Sequence, residues 1–139
     1  MAELNFATGV VTFAVNGVHD ISFNPTDSAF VERLFDAFDL LDKKQDTYKA
    51  EVERTANSRE VFATARKMDG EMREIIDSVL GEGTSAAVFG AMNVYALADG
   101  LPVWCNLLMA VMDEVDTTFA REQKATNPRI AKYTSKYHK

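Results

Sequence analysis

Thr84–Met112 reads TSAAVFGAMNVYALADGLPVWCNLLMAVM, and Asp99 is its only charged residue. The sequence on either side is dense in Asp, Glu, Lys and Arg. A membrane-spanning helix needs about 20 uninterrupted apolar residues. Gly90, Asn93 and Asp99-Gly100-Leu101-Pro102 break this stretch, and a carboxylate near mid-bilayer is costly. The stretch therefore reads as two short helical segments followed by a longer helix. Thr84 caps the first, Gly90 ends it, and Asp99 caps the third with Pro102 in its first turn. From Val103 to Met112 the third helix is apolar on nearly all sides, which belongs inside something. Beyond Met112 it becomes one-sided, with Asp113, Glu114 and Asp116 towards water and Val115 and Phe119 continuing the stripe. Trp104 is expected to be buried beside the Phe-rich start of the first long helix.

Upstream lie two further helices with matching apolar spacing. Residues 27–54 carry Val31, Leu34, Phe38, Leu41, Tyr48 and Val52, with Gln45 as the one polar member of the series. Residues 58–80 carry Val61, Ala65, Met68, Met72, Ile75 and Val79. Asn24 and Pro25 open the first helix, Asn57 caps the second, and Gly81 ends it. Two heptad-spaced helices joined by a short polar link predict an antiparallel hairpin. Pairing about Thr55–Ser58 sets Leu41 against Met72, with the charged turn end in solvent. Residues 4–23 read as a meander of two or three strands turning at Asn16-Gly17, a dipeptide suited to positive φ at both turn positions. A sheet this small must lean on helices or on a neighbouring subunit.

The expected fold class is thus α+β and mostly α: an N-terminal β-hairpin or meander, a long antiparallel helical hairpin and a C-terminal helical bundle. Residues 1–124 read as one domain, divided into 1–23, 24–81 and 84–124. Residues 125–139 read as a flexible basic tail broken off at Asn127-Pro128, although Ile130, Tyr133 and Tyr137 are spaced to share one helical face. The charge is unevenly spread. Residues 121–139 hold six Lys or Arg and one acid, while residues 1–120 hold nine basic and twenty acidic residues. An acidic body repels nucleic acid. One cysteine forms no internal disulfide, and the first nine residues lack the basic and apolar regions of a signal peptide, so an intracellular protein is expected.

No catalytic constellation is visible, and the expectation is a protein that is not an enzyme and needs no metal or cofactor. The two histidines, His19 and His138, do not follow a Glu by three as a di-iron bundle requires. They and Cys105 are too few and too scattered for zinc. Cys105, between Trp104 and Leu107, reads as core packing. Gly81-Glu82-Gly83 lacks the lysine of a phosphate loop.

Taken together, the Asn16-Gly17 hairpin, SFNPTDSAFVERLF (Ser22–Phe35), the charged helical pair, NVYALADGLPVW (Asn93–Trp104) and the ending NPRIAKYTSKYHK resemble a family of small tail-region proteins. These are encoded by siphophages and prophages of Gram-positive bacteria and are similar to tail assembly chaperones. The resemblance implies a protein of the bacterial host cytoplasm that coats the apolar tape measure protein and recruits tail tube protein. It implies a possible frameshifted longer form and no catalytic residues. The alternative is a structural tail or head-completion protein retained in the virion. Phe89, Met92, Val94, Tyr95 and Leu97 are the expected partner-binding residues, since short glycine-bounded segments shift easily and methionine and aromatic groups repack around varied apolar sequences. The same residues equally suit a core or a homo-oligomer contact.

Overall fold

A computed structural model of the chain describes residues 1–55, 57–125 and 127–137. Strands β1 (Val11–Val15) and β2 (His19–Phe23) form an antiparallel hairpin, Val11 opposite Phe23 and Val15 opposite His19. Asn16 and Gly17 both take positive φ, 50° and 72°, as the turn requires. Leu4–Phe6 form no third strand, and residues 1–10 run exposed without regular structure. That segment is fastened near its end, where Asn24 Nδ2 donates to the Thr8 carbonyl at 2.8 Å. A Cβ at Gly9 would lie 2.7 Å from the same amide nitrogen.

Helix α1 (Ser28–Arg54) is capped by Asp27, whose Oδ1 accepts from the Ala29 N–H, and not by Asn24. Asn24 Oδ1 instead accepts from the backbone N–H and hydroxyl of Thr26, closing the turn before the helix. Helix α2 (Ser58–Leu80) is capped by Asn57 and ended by Gly81 at φ 115°. Ala56, in the link between them, lies outside the described residues, as does His138.

The two helices pack as an antiparallel pair whose buried rows are Phe30, Leu34, Ala37 and Leu41 on α1 and Met68, Met72, Ile76 and Leu80 on α2. The α2 row differs from the heptad reading, since Ile75 and Val79 are only partly buried. α2 also packs against the segment that follows it, so its buried face is displaced and widened beyond a two-helix seam. The turn end stays wet: Val52 and Val61 are half-buried and Phe62 is exposed.

Helix α3 (Thr84–Phe89) begins at Gly83, so Thr84 is not its cap. Thr84 Oγ1 donates back to the Gly81 carbonyl, and Asp77 of α2 caps the first turn, accepting from the Ser85 N–H and hydroxyl. After Gly90 the expected second helical segment is absent. Residues 91–96 turn irregularly into a minimal hairpin, β3 (Leu97–Ala98) and β4 (Leu101–Pro102), around Asp99-Gly100. Asp99 and Gly100 both have positive φ, 55° and 78°, so Asp99 is a turn residue and not a helix cap. Helix α4 (Val103–Lys124) starts directly from Pro102, and helix α5 (Arg129–Tyr137) forms where a loose tail was expected. The class is α+β and mostly α.

The core gathers at the junction of these elements. Phe13, Phe23 and Phe30 stack in sequence, with ring centroids 4.9 and 4.5 Å apart, and bind the hairpin to α1. Trp104 is buried, meets Phe38 edge-on at 5.3 Å, and donates its indole N–H to Gln45 Oε1 at 2.6 Å. The single polar position of the α1 stripe is therefore the acceptor for the one buried indole.

Candidate functional site: an apolar furrow over helix α4

α4 has two apolar faces. Trp104, Cys105, Leu107, Leu108, Val111, Val115 and Thr118 are buried against the core. Val103, Leu107 and Ala110, spaced four and three apart, form with the adjacent Val111 a second face that borders two adjoining hollows, Leu107 and Val111 standing at the edge of both faces. One, of about 310 Å³, is walled by Val88, Phe89, Met92 and Ala98. The other, of about 230 Å³, is walled by Phe13, Ile21 and Phe23 of the hairpin. They share Val15, Asn16, Leu107 and Ala110, so they run on as one furrow between the hairpin, α3 and the β3–β4 turn. From Val103 to Glu114 its floor is about 16 Å long at the helical rise of 1.5 Å per residue. The polar groups along it are few: Asn16, Asn106 and Glu114.

The five residues expected to bind a partner divide between this furrow and the core. Phe89 and Met92 line the furrow; Met92 is 51% exposed. Leu97, 72% exposed, sits on β3 beside the furrow residue Ala98. Val94 and Tyr95 are buried. Tyr95 stacks on Tyr48 of α1 with centroids 4.2 Å apart, so it serves packing and not a surface. Burial pushes the Tyr95 phenol well above its usual range, and its buried hydroxyl has no hydrogen-bond partner among the described residues.

The segment carrying these residues is tied to α2 by hydrogen bonds. Asp69 of α2 accepts from the Val94 N–H at 2.8 Å and pairs with Arg73 at 2.9 Å. Arg73 also donates to the carbonyls of Gly90 and Met92. Asn93 donates to the Ala65 carbonyl and accepts from the Tyr95 N–H. This irregular backbone cannot satisfy its own polar groups, and α2 supplies partners for them. The furrow is thus pre-formed.

The sequence reading missed Val15, Val103, Leu107 and Ala110 as furrow residues. For Val103, Leu107 and Ala110 the signal is the all-round apolarity of Val103–Met112, more than one buried face can use. Cys105 is buried, its thiol pushed up by that burial first and by Asp42 second, with Met109 Sδ 3.5 Å from its Sγ. His19 Nε2 is hydrogen-bonded to Thr84 Oγ1 at 3.2 Å. Among the described residues no group of three His, Cys, Asp or Glu is placed to hold a metal ion, and no helix is long and apolar enough to cross a membrane.

A family model matches residues 16–139, from the hairpin turn through the furrow to the chain's last residue. The chain belongs to DUF6673. That family is described as one of unknown function. No curated protein and no solved structure matches the chain.

Proposed function

We propose that the protein is a phage tail assembly chaperone that seats an apolar helical segment of a tape measure protein in the α4 furrow. The observation that carries this is the second apolar face of α4. Val103, Leu107, Ala110 and Val111 floor an open groove wide enough to be walled by Phe13 on one side and Phe89 and Met92 on the other. An amphipathic helix laid in such a groove reads it through anchors spaced three and four apart, which is also the spacing of Val103, Leu107 and Ala110. Methionine at the rim adapts to varied side chains, as a long helix of changing sequence requires. The resemblance of the Ser22–Phe35 and Asn93–Trp104 runs to tail-region proteins supplies the partner's identity. In this reading the protein acts in the cytoplasm of the bacterial host, delivering the tape measure to tail tube protein.

Co-expression with the tape measure protein tests it. The wild-type chain should hold that protein in the soluble fraction. Met92→Lys with Leu97→Lys alters two exposed side chains and should abolish the effect while helical circular dichroism stays unchanged. A tape measure protein equally soluble without this chain refutes the assignment.

A further inference from the structure

The charge around the furrow is one-sided. From Leu80 to Ala120, and from Met1 to Glu32, there is no Lys or Arg at all. The charged residues of the elements that build the furrow (β1, β2, α3, β3, β4 with the turn between them, and α4 up to Ala120) are therefore all acids: Asp20, Asp99, Asp113, Glu114 and Asp116, of which Glu114 lines the furrow itself. Arg73, which reaches the loop from α2, is engaged by Asp69 and by two backbone carbonyls. An apolar floor with a purely anionic surround fits a helix with an apolar stripe flanked by cations.

The chain carries such a helix. α5, RIAKYTSKY, places Ile130, Tyr133 and Tyr137 three and four apart in sequence, between Arg129, Lys132 and Lys136. It contains no acid. Ile130 stands 70% exposed and is not closed against its own body. At nine residues, α5 is about 14 Å long, close to the length of the furrow floor.

We infer that in the free protein α5 of a second copy of this chain occupies the furrow, through an apolar stripe on Leu107 and Ala110 and basic residues beside Glu114 and its neighbours. Donor and acceptor are different surfaces, so the association is head-to-tail and propagates beyond two chains unless it closes into a ring. It stands apart from the choice of phage partner, although a tape measure helix would have to displace α5.

The test is the solution mass of the full chain by light scattering, across concentration and ionic strength. Wild type should rise above the 15.4 kDa monomer with concentration and fall back towards it at high salt. Ala110→Asp blocks the furrow and Ile130→Asp blocks the tail; each alters an exposed residue and should leave a monomer. Mixed one to one, the first variant still offers a tail and the second a furrow. The mixture should form a dimer and go no further, which also shows that both variants are folded. A wild type that is monomeric at every concentration, variants that associate as wild type does, or a mixture that stays monomeric would each overturn the inference.

Discussion

The α1–α2 hairpin and α4 hold their apolar residues differently. In the hairpin, each helix commits one row to burial, and the opposite faces are charged. In α4 the core takes one face and a second apolar face is left along the furrow. Hydrophobic burial accounts for the first arrangement, because each buried aliphatic side chain contributes about 1.5–3 kcal/mol to folding. It does not account for the exposed part of the second: Leu107 and Val111 are buried in the core, but Ala110 is exposed and gains little from the monomer's own packing. Substitutions in the two regions should therefore separate stability from binding.

The largest effect belongs to the hairpin seam. Met72 is fully buried between the helices, and Met72→Asp places an unpaired carboxylate there. It should cost at least about 3 kcal/mol and leave a chain that melts early or does not fold. A melting temperature near wild type in a thermal scan would show that the seam is misassigned.

Next comes the tether between the two regions. Asp69→Ala leaves the Val94 N–H without its acceptor and Arg73 without its ion pair. A loss of about 1–3 kcal/mol is expected in urea unfolding. Amide exchange should also quicken at Val94 and Tyr95 while the α1–α2 core stays protected. Unchanged exchange there would mean that the loop is held by packing alone.

Tyr95 gives a smaller effect with a defined sign. Its folded phenol ionises well above the ordinary value, whereas in the unfolded chain it ionises near pH 10. Below that pH the protonated form prevails in both states and the contribution is intact. Above it the unfolded chain binds fewer protons, so stability falls as pH rises. Tyr95→Phe should remove that alkaline loss. Near neutral pH it should be neutral or slightly stabilising, since the hydroxyl it deletes has no hydrogen-bond partner among the described residues. A clear loss of stability at pH 7 would reveal a hydrogen bond that this account lacks.

The smallest stability change is expected in the furrow. Ala110 is exposed, and Ala110→Asp should shift stability by less than about 1 kcal/mol while removing binding. A large stability loss would return this face of α4 to the core.

Local signals explain what was legible in the sequence. Apolar spacing and the Asn57 cap place α2 at 58–80 and α1 within a residue of its observed start, and Asn16-Gly17 marks the hairpin. The irregular segment after Gly90 was not legible, because its conformation is set by Asp69, Arg73 and Ala65, 17 to 28 residues away in the chain. Asp99 has the composition of a helix cap and the geometry of a turn; the pairing of Leu97 with Pro102 decided between them. Of the candidate site, Phe89, Met92 and Leu97 were found because they are apolar in a glycine-bounded run. Val94 and Tyr95 share that local character, and only the tertiary contacts with α1 and α2 send them inward. Gln45 marked a break in its stripe without disclosing its partner, Trp104.

Site-specific photo-crosslinking tests the central claim most directly. A photoreactive side chain at position 92 stands at the furrow wall, and one at position 40, where Leu40 is also exposed, stands on the α1–α2 surface. In cells co-expressing the tape measure protein, position 92 should crosslink to it and position 40 should not. Crosslinks at position 40 with none at 92 would contradict the account and move the partner's seat to the helical hairpin.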